Sequence, residues 1–271
     1  MDDIYRENKE LNKSDVEEIL TWINNQSHLP KITEYEAAIF LHARYYELTE
    51  TKKLIEMYFT HRTKNPSIFG NRDAHAEEVK LVTDNLLFIP FSKPLCDGSS
   101  ALLVTLLDDD AKKFNCKASL RVGTMMVDWW HMNHGFSSSA SVVVNMKGAS
   151  LGHLIRLSIM SLRVFVPFAQ EYVPLRIKHI HFINTNRLTQ RFIGVIKPFL
   201  KKEIIDLMCI HTTMESAYEY IPRENFPAEL GGTWKTFAEL QQDMKEILTK
   251  NSKYFLEEDT ERAVNESLRI K

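Results

Sequence analysis

The sequence predicts an α/β fold: a small N-terminal all-helical unit, then an α/β sandwich built on a mostly parallel sheet. The first 72 residues repeat apolar positions at helical spacing. After GNRD (Gly70–Asp73), short β-branched or leucine-rich runs alternate with helical segments long enough to act as parallel crossovers. At 44% hydrophobic residues in 271, the chain can bury a substantial core.

In the helical unit, NKSDVEEILTWINNQSHLP has Ser14 as a candidate cap with Glu17 three residues on, and Val16, Ile19, Leu20 and Ile23 on one face. TEYEAAIFLHARYYEL has Thr33 as cap and an apolar face through Ala37, Phe40, Leu41 and Tyr45. TETKKLIEMYFTHRTKN starts near Thr49 and stops before Pro66. Beyond Asp73, ALLVTLL (Ala101–Leu107), SVVVNM and IKHIHFIN read as strands. SLRVGTMMVDWWHMNH, LGHLIRLSIMSLRVFVPFAQEY and RLTQRFIGVIKPFLKKEIIDLM read as helices. The expected divisions are 1–72, 73–250 and a helical tail at 251–271, with the segment from Thr236 onward read as charged, helical and peripheral.

Charge and cysteine usage narrow the function classes. Thirty-four Lys plus Arg against 36 Asp plus Glu give no global basic field, so no nucleic-acid partner is expected. Cys96, Cys116 and Cys209 are an odd set without a C-x-x-C pair, as expected of free thiols in a reducing compartment. The charged N-terminus has no apolar h-region, and no apolar run approaches the ~20 residues that span a bilayer. A soluble cytoplasmic protein is the expectation. The phosphate-cradling motifs of dinucleotide and triphosphate sites are absent, and no cofactor is expected.

Gly148-Ala149-Ser150-Leu151-Gly152 is a literal G-x-S-x-G, the pattern of a hydrolase nucleophile elbow. Asn145, Met146 and Lys147 separate it from the β-branched run, however, and no Gly-rich loop upstream offers oxyanion donors. Asp206 and His211 follow in triad order without any partner motif. A turn serine near a helix start is the expected role. His131 and His134 share a helix face and His179 and His181 a strand face, but neither pair has a third ligand nearby in sequence. They read as hydrogen-bonded structural histidines, and no metal is expected.

The segment Leu188–Met208 carries more apolar surface than an ordinary surface helix, with Leu188, Phe192, Val195, Ile196, Phe199 and Leu200 in one stripe. Gly194 and Pro198 predict a kink in its middle. A hinged apolar helix suits a lid, and SLRVFVPFAQEYVPL supplies aliphatic and aromatic walls for a dry pocket beneath it.

Five segments, in order, resemble the CRAL-TRIO lipid-transfer family. EAAIFLHARYYELTETKKLIEMYFTHRTKNPSIF is similar to its N-terminal helical unit, VVVNMKGASLGHL to its strand and loop, and VPLRIKHIHFIN to its central strand. IKPFLKKEI resembles its gate helix and YIPRENFPAELGGTW its closing element. The resemblance implies a cytosolic, non-enzymatic carrier of a small hydrophobic ligand such as a tocopherol, retinoid or carotenoid. It implies a pocket lined by Leu120, Thr124, Val127, Val144, Leu157, Phe165, Phe168, Val173 and Leu175. A gate helix over Asn186–Leu207 would add Phe192, Val195, Ile196, Phe199 and Leu200. It further implies release at a membrane surface, with phosphoinositide head groups met by Arg176 and Lys178 and by Lys201 and Lys202 from the adjacent turn. Glu203 and Leu207 stand where a relative has basic residues, and Asn145 where the family usually has Asp. The alternatives are a serine esterase or lipase using Ser150, and a phosphoinositide-binding module without transfer activity.

Overall fold

The computed structural model of the chain describes residues 1–133 and 139–269. Short helix α1 (Asp2–Glu7) precedes α2 (Lys13–Asn24), α3 (Glu34–Ala43), α4 (Leu48–Lys64) and α5 (Pro66–Phe69). Thr33 caps α3 as the sequence predicts, in a reciprocal capping box with Glu36. For α2 the cap position is Asn12 rather than Ser14, so Ser14 lies inside the first turn. Val16, Ile19 and Ile23 of α2, Ala37 and Leu41 of α3, Ile55 and Phe59 of α4 and Ile68 of α5 are almost wholly buried against one another. Each helix therefore spends its apolar stripe on a single small core.

Helix α6 (Glu77–Asn85) leads directly into a five-stranded sheet of β1 (Leu86–Pro90), β2 (Ser100–Leu106), β3 (Ala140–Asn145), β4 (Ile177–Ile183) and β5 (Met208–Ile210), ordered β1-β2-β3-β4-β5. β1 is antiparallel to β2 and the other pairs are parallel. The mostly parallel sheet is as predicted, although β1 and β5 escape the pattern reading. The crossovers are α7 (Cys116–Asn133), then α8 (Leu151–Ile155) with α9 (Ile159–Pro167), then α10 (Thr189–Ile196) with α11 (Lys202–Ile205).

Alternation along the strands divides the sheet between two environments. Ala101, Leu103, Val143 and Ile183 face the main core, with Ala217 of α12 (Met214–Tyr218), Ile221, Phe226 and Leu230. Leu102, Val104, Ala140 and Ile180 belong to the other face, where the cavity described below lies.

The C-terminal helices α13 (Phe237–Lys250) and α14 (Ser252–Glu261) are not peripheral. Thr236 and Glu239 form a capping box that starts α13, and Leu240, Met244 and Leu248 are buried in the main core. Phe255 of α14 is fully buried there as well, and Val264 enters the core of the N-terminal helices. The charges of this segment are its polar face, and its apolar minority closes two cores.

A buried ion network ties these parts together. Arg72, 1% exposed, donates through Nη1 to Asp128 Oδ2 at 2.5 Å and through Nε to Asp259 Oδ1 at 2.7 Å, and reaches Glu258 at 3.4 Å. Arg62 makes a two-pronged contact with Asp128, at 3.0 and 2.8 Å. Arg262 joins Glu258 at 3.1 Å to Glu36 at 2.6 Å. Burial alone would raise it, but Arg62 and Arg72 hold the Asp128 carboxyl far below the usual carboxylate range. Removing one charge from such a set leaves the others buried and unpaired. Asp128→Asn is therefore expected to cost about 3–5 kcal/mol, read as a lower urea midpoint, whereas Lys13→Ala on the exposed face of α2 should stay within about 0.5 kcal/mol.

Candidate functional site: an apolar cavity beside a broken helix

Between the sheet and its helices lies a cavity of about 330 Å³, at the low end of the ~300–1,000 Å³ typical of small-molecule sites. Leu102 and Val104 of β2, Ala140 and Val142 of β3 and Ile180 of β4 form its floor. α7 supplies Leu120, Gly123, Thr124 and Val127, at the helical spacing that puts them on one face. Phe165 of α9 and the stretch Phe168, Ala169 and Val173–Leu175 close the other side.

That last wall owes its shape to Pro167, which has no N–H for the helical ladder and crowds the preceding turn. The chain widens into a π-helical turn over Phe168–Tyr172, closed by the Val173 N–H on the Phe168 carbonyl at 3.0 Å. Phe168 is thereby held between the cavity and the N-terminal helices, its ring centroid 4.4 Å from Phe69 and 5.7 Å from Tyr58.

Of the residues expected at a pocket, Leu120, Thr124, Val127, Phe165, Phe168, Val173 and Leu175 border this cavity. Val144 and Leu157 do not. Val144 packs one register step further along β3, beside Met146, Phe182 and Ile193, and Leu157 lies half-buried in the α8–α9 connection. Sequence reading missed Tyr58, Asp128 and His131, which also border the cavity. Their polar side chains gave no signal among apolar neighbours.

The helix expected over Asn186–Leu207 is in three pieces. α10 ends at Ile196, a 3₁₀ turn covers Lys197–Phe199, Leu200 and Lys201 are extended, and α11 resumes at Lys202. Pro198 needs no donor at the start of a 3₁₀ turn and cannot serve in the interior of a continuous helix. The break frees two backbone groups, and one side chain satisfies both: Gln170 donates from Nε2 to the Phe199 carbonyl and accepts from the Lys201 N–H, each at 3.0 Å. Ile193 is buried against Met146 and Phe182, while Phe192, Val195, Ile196, Phe199 and Leu200 are half-buried. None of those five borders the cavity.

The basic residues expected at a head-group cleft have protein partners. Arg176 donates from Nε to the His42 carbonyl at 2.7 Å, with its guanidinium 4.0 Å above the Tyr45 ring. Lys178 pairs with Asp97 at 2.9 Å and Lys201 with Glu171 at 3.1 Å, while Lys202 is exposed.

Ser150 precedes α8 with ordinary extended backbone, φ −125° and ψ 169°, not the strained turn of a nucleophile elbow. Its neighbour is His153: the Ser150 N–H donates to Nδ1 at 3.2 Å and Oγ lies 2.8 Å from the same nitrogen, a helix-start arrangement three residues apart. The ring's other nitrogen is buried without a partner, so no acid stands behind it. His211, third in sequence order for a triad, instead stacks on His181, its Nε2 3.0 Å from His181 Nδ1, and its Nδ1 lies 3.2 Å from Ser216 Oγ. His131 keeps a buried Nε2 without a hydrogen-bond partner, unlike the bonded structural histidine expected, and His134 lies outside the described residues. Cys96 is exposed, Cys209 half-buried and Cys116 buried, all as free thiols.

An apolar cavity beside an α/β sheet, walled by a broken helix-and-turn segment and abutting a helical unit, is a lipid-binding architecture, and the family comparisons agree. Residues 97–232 match the CRAL/TRIO domain and residues 8–79 the Pinta-like UBA domain. The chain belongs to the CRAL/TRIO family, whose members bind and transfer lipophilic ligands. Among its relatives, the human alpha-tocopherol transfer protein-like protein is 24% identical over 198 residues, 72% of this chain and 57% of that protein. The chain thus spans little more than half of that relative's length. Clavesin-1 of Xenopus laevis is 23% identical over 235 residues, 84% of this chain and 70% of that one. The crystal structure of Sfh5 shares the fold, with a TM-score of 0.51 at 13% identity over 85% of this chain and 92% of that chain.

Burial, joined by the neighbouring His211 and His179, lowers the His181 pKa to about 4; burial likewise lowers His42, aided by Arg176, to about 4. The unfolded chain, with histidines near 6.5, takes up protons first on acidification, so their contribution is present above pH ~6.5 and fades toward pH ~4. The urea midpoint should fall across that window, and His181→Gln should flatten the fall. An unchanged slope in the variant would count against His181 as its source.

Proposed function

We propose that this chain binds a small hydrophobic molecule in the 330 Å³ cavity and carries it between membranes, as an intracellular, non-enzymatic carrier. The observation that carries this reading is the cavity wall itself: aliphatic and aromatic side chains from β2, β3, β4, α7 and α9, gathered around one space. A ligand burying about 400 Å² of apolar surface there would gain on the order of 10 kcal/mol before association costs. The name of the alpha-tocopherol transfer protein-like relative is in keeping with a tocopherol or related lipid as cargo, and retinoids and carotenoids are the other lipids expected from the sequence.

Release is assigned to α10 and the break that follows it. Gly194 and Pro198 weaken the segment, its apolar side chains other than the buried Ile193 are only half-buried, and the Gln170 contacts with Phe199 and Lys201 hold its far end to the π-helical turn. Next to it, Leu151, Ile155, Ile159 and Met160 are exposed apolar side chains, Ile155 at 73%, accompanied by the exposed Arg156, Arg163 and Lys197. Ala149 and Phe192 both pack on the Met146–Phe182–Ile193 cluster, and α9 packs against the Lys197–Phe199 turn, so this face adjoins the proposed gate. An anionic membrane would accept both its apolar and its basic parts. No helix among the described residues is long and apolar enough to cross a membrane, so the contact would be peripheral.

Native mass spectrometry or organic extraction of the purified protein should reveal a co-purified lipid. A protein that is empty and takes up no lipid on reconstitution would end the carrier reading. For the gate, ligand loss should be faster with anionic vesicles than without, and Phe192→Asp or Ile155→Asp should reduce vesicle binding several-fold. Equal release rates with and without vesicles would remove the membrane from the mechanism.

A further inference from the structure

The face of the sheet turned away from the cavity carries histidines that the carrier reading does not use. His179 and His181 alternate with Ile180 and Phe182 along β4, and His211 follows β5. The Tyr220 ring neighbours all three, with centroids 5.8, 5.2 and 5.6 Å away. His181 is wholly buried and His211 nearly so. Their rings stack at 5.2 Å, and His181 Nδ1 lies 3.0 Å from His211 Nε2.

The hydrogen bonds of this pair run in one direction. The Ser216 hydroxyl donates to the Thr213 carbonyl at 2.9 Å, so its oxygen accepts from His211 Nδ1 at 3.2 Å. With its proton on Nδ1, His211 accepts at Nε2 from His181 Nδ1. The chain ends at His181 Nε2, which is closed to water and has no hydrogen-bond partner. Both rings are neutral in this arrangement, and the next proton has only that buried lone pair to occupy.

The titratable groups facing it are His179 on its own strand, Cys209 opposite on β5, His211 and Tyr220, with Glu219 behind His211 and Asp97 before β2. Asp97 favours the proton, but its carboxylate is committed to Ser99 at 2.6 and 2.9 Å and to Lys178 at 2.9 Å. Burial, with His211 and His179, lowers His181 to about 4, and burial lowers His211 as well. An opened pair regains values near 6.5, so opening is favoured progressively as pH falls from ~6.5 toward ~4. At pH 5, His181 alone accounts for about a thirtyfold rise in the open population.

What a second proton would part is slight. β5 is a three-residue edge strand, bounded by the Ile180 N–H on the Leu207 carbonyl at 3.0 Å and the His211 N–H on the Phe182 carbonyl at 2.8 Å. α11 runs into β5 through Asp206 and Leu207, so β5 anchors the far end of the broken segment. Building on the reading of that segment as the gate, we propose that the His181–His211 pair is an acid-operated latch: protonation parts β5 from β4, frees α11 and speeds loss of the cargo.

Backbone hydrogen exchange of the full chain at pH 7 and pH 5, corrected for intrinsic exchange, tests the latch without a ligand. Peptides covering Met208–His211 should lose protection at least about tenfold at pH 5 while those of β2 keep theirs. His181→Gln and His211→Gln should each remove most of that difference; circular dichroism reports whether they are folded, and the contrast between β5 and β2 in the unaltered protein stands without them. Equal protection of β5 at both pH values, or an equal loss in β2, would overturn the latch. Folded variants that keep the full difference would overturn the role of the histidines. For the gate, a fluorescent tocopherol analogue loaded at pH 7 should pass to uncharged phosphatidylcholine vesicles about tenfold faster at pH 5, and an unchanged rate beside an opened β5 would overturn the link from latch to gate. If the protein holds neither the analogue nor a co-purified lipid at pH 7, the carrier reading fails, and the exchange measurement still decides the latch.

Discussion

Arg72 is the residue on which the rest of the structure leans. It sits between the N-terminal helices and the sheet domain, and its guanidinium is divided among Asp128 on α7 and Glu258 and Asp259 on α14. Arg62 and Arg262 complete the set from α4 and from the end of α14. Taking this many charges out of water is expensive, and each is tolerable only while its partners stay in place. The arrangement is therefore all-or-none: α4, α7 and α14 adopt one mutual geometry or the network fails. Since α7 is also a wall of the cavity, the position of that wall is held by the same ions, of which Asp128 alone, among the described residues, borders the space.

The cavity and the broken α10–α11 segment meet in the five residues of the π-helical turn. Phe168 fills space between the pocket and the helical core, and Gln170 satisfies the backbone freed where the helix breaks after Ile196. Glu171 adds its pair with Lys201, and its carbonyl accepts from Arg44 of the N-terminal unit, so three parts of the molecule converge on one irregular turn. Just before this turn, Pro167 removes the helical hydrogen bond that would reach the Arg163 carbonyl.

What the sequence reveals follows from the range over which each pattern acts. The period of alternating strands and amphipathic helices is local, so β2, β3 and β4 could be read directly, whereas the seven bordering residues expected in advance rest on the family resemblance and not on any period. β1 is hidden because it follows α6 without a turn residue, and β5 because three residues carry no period. The break after Ile196 was readable as a kink at Pro198 but not as a full interruption, since the side chain that stabilises it, Gln170, is 29 residues away. The ion network was wholly invisible: Arg72 and Asp259 are 187 positions apart, and each looks like an ordinary surface charge. His131 posed the same difficulty, because a missing partner is a property of three-dimensional surroundings.

Asn145 closes β3 in a position where a carboxylate would have been unremarkable. Its amide donates to Thr105 Oγ1 at 2.8 Å and accepts from Asn184 Nδ2 at 2.9 Å, and Asn184 sits at φ 49° in the turn that leaves β4 toward α10. A carboxylate could take the second bond but could not give the first, and its acceptance would depend on its charge. With an amide, the junction from which α10 departs has no proton to lose or gain. Acidification that reaches the stacked histidines behind the sheet leaves that junction's own bonds unaltered, so the turn after β4 and the titrating core answer to different variables.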